Sequence, residues 1–137
     1  MNILKLELTH FGKFHLKTIT FTSGLNIVYG KNEAGKSTIH AFVRSMLFGI
    51  PDTEEGNERY SHYLPWETPH DFCGRMWIKK DDKVYRIERN FLRPQPTVRV
   101  FDDETDESLQ PAKQHLRQIL SGLTETSYLN TICIEQL

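Results

Sequence analysis

The chain has 137 residues, 38% of them hydrophobic and 26% charged, with a mean hydropathy of −0.51. This is the size and make-up of one globular domain, outside the low-hydrophobicity, high-charge regime of disordered chains. Seventeen Lys and Arg against eighteen Asp and Glu argue against a polybasic wrapper of nucleic acid, and no apolar run reaches the roughly 18 residues of a membrane span. Two cysteines, Cys73 and Cys133, are too few for a disulfide scaffold, and the first residues lack a signal-peptide core. The expectation is a reduced, cytoplasmic protein with no membrane association.

Leu4, Leu6 and Leu8 alternate with Lys5, Glu7 and Thr9, which predicts a half-buried strand. A turn at Gly12 leads to a second alternating run, 17–21, so an antiparallel pair opens the chain. Leu25 to Tyr29 is short and mostly apolar and ends at Gly30, as suits a strand buried on both faces. From Lys36 the period changes. Ile39, Phe42, Val43, Met46 and Leu47 follow the spacing of an amphipathic helix, stopped by Gly49 and Pro51. Residues 50–72 are polar and hold Pro51, Pro65 and Pro69; they read as a long surface loop, a feature often tied to function. The runs 75–78 and 84–87 flank Asp81-Asp82 as a hairpin, and 97–101 is a third strand before the acidic stretch 102–107. Pro111 opens a second helix with Ala112, Leu116, Ile119 and Leu120 on one face, closed by Gly122. Thr124 caps a short helix through Asn130, and 131–137 reads as a strand.

One segment carries chemistry. Gly30-Lys31-Asn32-Glu33-Ala34-Gly35-Lys36-Ser37 fits the G-x-x-x-x-G-K-[ST] phosphate loop and lies between a predicted buried strand and a predicted helix, as its mechanism demands. Gly30 and Gly35 let successive backbone N–H groups point at a phosphate, and the helix N-terminus adds positive potential. Lys36 is then placed for the β- and γ-phosphates, the Ser37 hydroxyl for Mg²⁺ and Thr38 for the α-phosphate. The competing reading is a glycine turn that meets no nucleotide, but a lysine at a helix N-terminus needs an anion to justify it. Efficient hydrolysis also needs an acidic anchor for Mg²⁺ after an apolar strand. The nearest approach, Val98 to Glu104, is broken by Arg99 and runs on into further acids, so it reads as a solvated turn.

The wording of the loop, Gly30 to Thr38, resembles the G-x-N-x-x-G-K-S-T form of the SMC-like and SbcC-type ABC-class ATPases. The resemblance extends to Leu4–Phe14, Gly24–Gly30, Tyr85–Arg89 and Tyr128–Gln136, and is strongest to the bacterial YhaN-like branch. It implies an α/β P-loop NTPase fold, equivalent to lobe I of an ABC-type head with an antiparallel β subdomain, in a single domain over 1–137. It further implies ATP and Mg²⁺ as cofactors, bound by Asn32, Glu33, Ala34, Gly35, Lys36, Ser37 and Thr38. Gln136 would be the Q-loop glutamine that contacts Mg²⁺ or the lytic water, so Lys36 and Gln136 are the catalytic candidates and Ser37 and Gln136 the metal candidates. Arg59 falls where the family carries an arginine that reaches nucleotide or senses DNA; a solvated loop charge is the bland alternative. The Walker B acids, signature serine and switch histidine belong to a C-terminal lobe in that family. The resemblance therefore makes this the N-terminal half of a split head, partnered by its own C-terminal lobe and a second ATPase head, with DNA and a nuclease subunit as further candidate partners.

Weaker signals have plainer readings. Between Arg75 and Arg99 there are eight Lys and Arg against three acids, an excess that suits DNA phosphates but equally a solvated sheet face. His62, His70 and Cys73 match no zinc spacing, and both thiols read as packing residues. Trp66 and Trp77 are stacking candidates, with packing as the default. Two rival functions stay open: a self-contained P-loop kinase or GTPase, and a non-enzymatic DNA- or partner-binding module with a vestigial loop.

Overall fold

The computed structural model describes residues 1–21 and 33–131. Strand β1 (Asn2–Phe11) pairs with β2 (Phe14–Thr20), and the helix α1 (Glu33–Phe48) follows. Next come α2 (Glu54–Tyr63), β3 (Cys73–Lys80), β4 (Lys83–Asn90), β5 (Thr97–Asp102) and the two-residue β6 (Glu107–Ser108). Helices α3 (Ala112–Leu120) and α4 (Glu125–Thr131) complete the described chain. The strands form one sheet in the order β2-β1-β3-β4-β5-β6, antiparallel throughout. The α/β class expected from the sequence is present, with the antiparallel part accounting for every described strand. The predicted buried strand 25–29 lies outside the described residues. So does the predicted final strand, except that Thr131 is the last residue of α4.

Alternation in the strands turns one face of the sheet inward. Leu6, Leu8, Met76, Ile78, Ile87 and Val100 are fully buried there, and α1 lays Ile39, Phe42, Val43, Met46 and Leu47 against them. These are the five helix positions predicted from periodicity. Contact is close enough that a Cβ at Gly74 of β3 would lie 2.3 Å from Phe42 Cε1 and 3.0 Å from the Glu7 carbonyl. Gly74→Ala should therefore lose about 2 kcal/mol of stability by overpacking, read as a lower urea midpoint with unchanged slope. At one end of the sheet Phe11 meets the rings of Phe42, Phe72, Phe91 and Tyr63 at centroid distances of 5.1–5.7 Å. This cluster joins β1, α1 and α2 to the chain beside the sheet.

The 50–72 stretch is not simply a loop. Helix α2 occupies ten of its residues, capped by Thr53, whose hydroxyl accepts from the Gly56 N–H at 3.0 Å. Glu54 and Glu55 in the first turn suit the positive end of the helix dipole. Its buried positions are Gly56 and Arg59, so the apolar period that reveals a helix is missing. The hairpin turn came out as expected, with Asp81 and Asp82 at φ 51° and 63°, the left-handed pair of a type I′ turn.

The outer sheet face is a network of opposite charges and rings. Arg75 pairs with Glu7 at 2.8 Å, and Arg86 with Glu88, Asp103 and Asp106 at 2.6–3.0 Å. Burial works against the Arg86 charge, but these carboxylates outweigh it and raise its pKa. Lys5 sits 4.0 Å over the Trp77 ring, and the Trp77 indole donates to Asp103. Trp77 is buried by these neighbours, whereas Trp66 is 90% exposed. Two more cations from the inner face cap helices: Arg89 donates to the Met46 and Leu47 carbonyls, and Lys80 to those of Gln118 and Ile119. Cations at helix C-termini answer both the orphan carbonyls and the dipole. Much of the basic excess noted in the sequence is thus engaged within the fold.

Candidate functional site

The sixteen residues of α1 begin inside the phosphate-loop motif, at Glu33. Asn32 and Gln136 lie outside the described residues, and for Glu33, Ala34 and Gly35 only the helical backbone is described. Lys36 lies in the first turn and is buried at 8% exposure, beside an exposed Ser37 and a half-buried Thr38. A first turn of helix supplies unpaired amides. With the Lys36 ammonium and two hydroxyls, the donor set fits a Mg²⁺-bound polyphosphate.

Helix α2 and the first hairpin form the neighbouring wall. Gly12, at φ +60° in the β1–β2 turn, donates to the Tyr63 carbonyl at 2.7 Å. A Cβ there would meet Tyr63 Cδ1 at 3.3 Å and Thr38 Cγ2 at 3.5 Å. The Tyr63 hydroxyl lies 3.5 Å from the Ser37 carbonyl. Tyr63 is a site neighbour that the sequence reading missed, since it falls in the segment taken as a loop.

Between α1, α2 and α4 lies a cavity of about 440 Å³, bordered by His40, Arg44, Arg59, His62, Tyr63 and Tyr128 among others. Arg59 belongs to this wall, and it is neither solvated nor on a loop: it is 6% exposed. Its guanidinium donates to Ser45 Oγ and Glu55 Oε1, each at 3.3 Å, and lies 3.7 Å from Glu125 Oε2. Arg59 Nε is 3.2 Å from Glu55 Oε2 but off the hydrogen-bonding direction, and has no hydrogen-bond partner. Arg44 pairs with both Glu55 and Glu125. Burial lowers the Arg59 pKa, nearby Arg44 lowers it further, and the two glutamates oppose them. The Tyr128 hydroxyl, also without a partner, is pushed up to about 12 by burial. Arg44, Glu55 and Glu125 come from three elements, so sequence spacing gave no sign of them. Ser45, a fully buried polar residue on the helix, was the nearest signal.

The remaining candidates are structural in the described chain. Asp102 pairs with Lys83 at 3.2 Å and accepts from the Glu104 and Thr105 N–H groups, as a turn requires. No group of three His, Cys, Asp or Glu able to hold a metal occurs among the described residues. Burial, with Asp71 and Glu7 nearby, raises the Cys73 thiol pKa, which keeps it protonated. Among the described residues no helix is long and apolar enough to cross a membrane.

A mixed α/β domain with a lysine and hydroxyls at the start of a helix, inside a G-x-x-x-x-G-K-S sequence, defines the phosphate-loop class. The chain belongs to the AAA domain family, whose model matches residues 1–136, and such membership implies nucleotide binding in general. It is 43% identical over 56 residues to the uncharacterized protein YhaN of Bacillus subtilis, a match spanning 40% of this chain and 6% of that protein. It is 26% identical over 146 aligned positions to the DNA double-strand break repair Rad50 ATPase of Thermococcus kodakarensis, spanning 99% of this chain and 15% of that protein. The chain thus covers only a small part of the length of these relatives.

Proposed function

We propose that the chain is the nucleotide-gripping half of an ATPase head. Asn32 to Thr38 hold Mg²⁺-ATP, with Lys36 on the phosphates and Ser37 and Gln136 on the metal; Arg59 acts from behind by fixing α2. The observation that carries this reading is the placement of Lys36, Ser37 and Thr38 in the first turn of α1, where side-chain donors join the helix amides inside the G-x-x-x-x-G-K-S sequence. When bound, the metal would neutralise phosphate charge. A C-terminal lobe and a second head supply the rest of the hydrolytic machinery, and hydrolysis drives a conformational change in DNA repair or chromosome maintenance. Asp102 and Asp103, the acids a self-contained kinase or GTPase would recruit, are committed to Lys83, Arg86 and Trp77, which supports the split arrangement.

Calorimetry with Mg²⁺-ATP tests the binding step. Saturable heat is expected from the 137-residue chain, with affinity falling at least about tenfold in Lys36→Ala, as for loss of a charge-assisted hydrogen bond. Turnover by the chain alone should be negligible. Equal affinity in the variant would remove the basis of the assignment, and rapid turnover would remove the split site.

A further inference from the structure

At the C-terminal end of α1, the first residues after that helix, α3 and the β4–β5 connection enclose a second cavity of about 400 Å³. Its walls include Phe48 and Val98, and its charged residues are Arg89, Arg93, Lys113 and Arg117, with no acidic residue among the lining. None of the four has an ion-pair partner among the described residues. Arg89 and Arg93 are positioned by neutral groups. The first takes the Met46 and Leu47 carbonyls; the second takes Asn57 Oδ1 at 2.7 Å, the Pro51 carbonyl at 3.2 Å and the Tyr60 ring. Such partners hold the guanidinium groups in place without supplying a formal counter-charge. Burial brings the Arg89 pKa down to about 10.

Lys113 and Arg117 stand four residues apart on α3, exposed and without side-chain hydrogen bonds. Like charges at that spacing repel. Lys113 is also in the first turn of α3, where the dipole disfavours a cation and no acid compensates. Cations gathered around a low-dielectric wall focus a positive potential into the cavity. We propose that this cavity binds a small amphiphilic anion, with an apolar body against Phe48 and Val98 and a carboxylate, sulfonate or phosphate at the rim of Arg93, Lys113 and Arg117. Its volume falls in the range of small-molecule sites. The proposal is independent of nucleotide binding at the other end of α1.

The test is a titration of the isotope-labelled 137-residue chain with naphthalene-1-sulfonate, in excess Mg²⁺-ATP to occupy any phosphate loop, followed by amide chemical shifts. Naphthalene-1-methanol is the uncharged comparator. Saturable shifts centred on Gly49 and residues 113–120 are expected, with affinity at least about tenfold above that of the comparator. The double variant Lys113→Glu, Arg117→Glu should weaken sulfonate binding at least about tenfold, and Lys113→Gln, Arg117→Gln by a smaller factor. Both sites are exposed, and the glutamine variant guards against a folding effect of the reversal. No saturable binding, shifts centred elsewhere, equal affinity for the alcohol, or unchanged affinity in both variants would overturn the proposal.

Discussion

Gly56→Ala should destabilise the protein by about 3 kcal/mol or more, beyond the usual range for adding one methyl to a packed site. The added Cβ would lie 1.9 Å from the Pro51 carbonyl oxygen and 3.1 Å from Pro51 Cγ. The first of these is backbone, so no rotamer change relieves it. The segment cannot simply open, because the Gly56 N–H is tied to Thr53 Oγ1 and the Asn57 N–H to the Thr53 carbonyl. Either the cap breaks or α2 moves as a body, taking Arg59 and Tyr63 with it. Urea denaturation gives the measure: a large drop in midpoint is expected. A variant as stable as the parent would mean that α2 does not enter in this way.

Glu125→Gln should cost about 2 kcal/mol, less than a fully buried ion pair because the carboxylate is partly exposed and screened. Glu125 is the acid of α4 that faces both Arg44 of α1 and Arg59 of α2. Neutralising it leaves two guanidinium groups sharing Glu55 alone. A double-mutant cycle of Glu125→Gln with Arg44→Met isolates the pair. The expected coupling has the sign of mutual stabilisation and shrinks as salt is added. Zero coupling at low salt would show that α4 is held by apolar packing through Tyr128 instead.

Where apolar residues report burial, the sequence was informative. The face of α1, the alternation in β1, the Asp81-Asp82 hairpin and the inward residues of α3 were all readable, because each buries a periodic set of hydrophobic side chains. Helix α2 was not, because it buries a glycine and an arginine, and neither registers as apolar. Its signal was local instead: Thr53 followed by Glu54 and Glu55, a capping residue before first-turn acids. The phosphate motif was legible because its chemistry fixes residue types at fixed spacing. The cluster of Arg44, Glu55, Arg59 and Glu125 was not, since ion pairs between distant elements carry no spacing rule. Arg59 illustrates both halves. The family resemblance marked it as a candidate, while its surroundings emerge only once three helices are in place.

Arg89 reaches from the sheet to the last carbonyls of α1, a rod of sixteen residues and so about 24 Å in length. Lys36 stands at the opposite tip. The helix that opens inside the phosphate motif is thus fastened at its far end by a guanidinium clasp, beside the greasy flank that seats it on the sheet. Trimming the clasp to methionine should leave the rod seated by that flank but strip its last carbonyls of their donor.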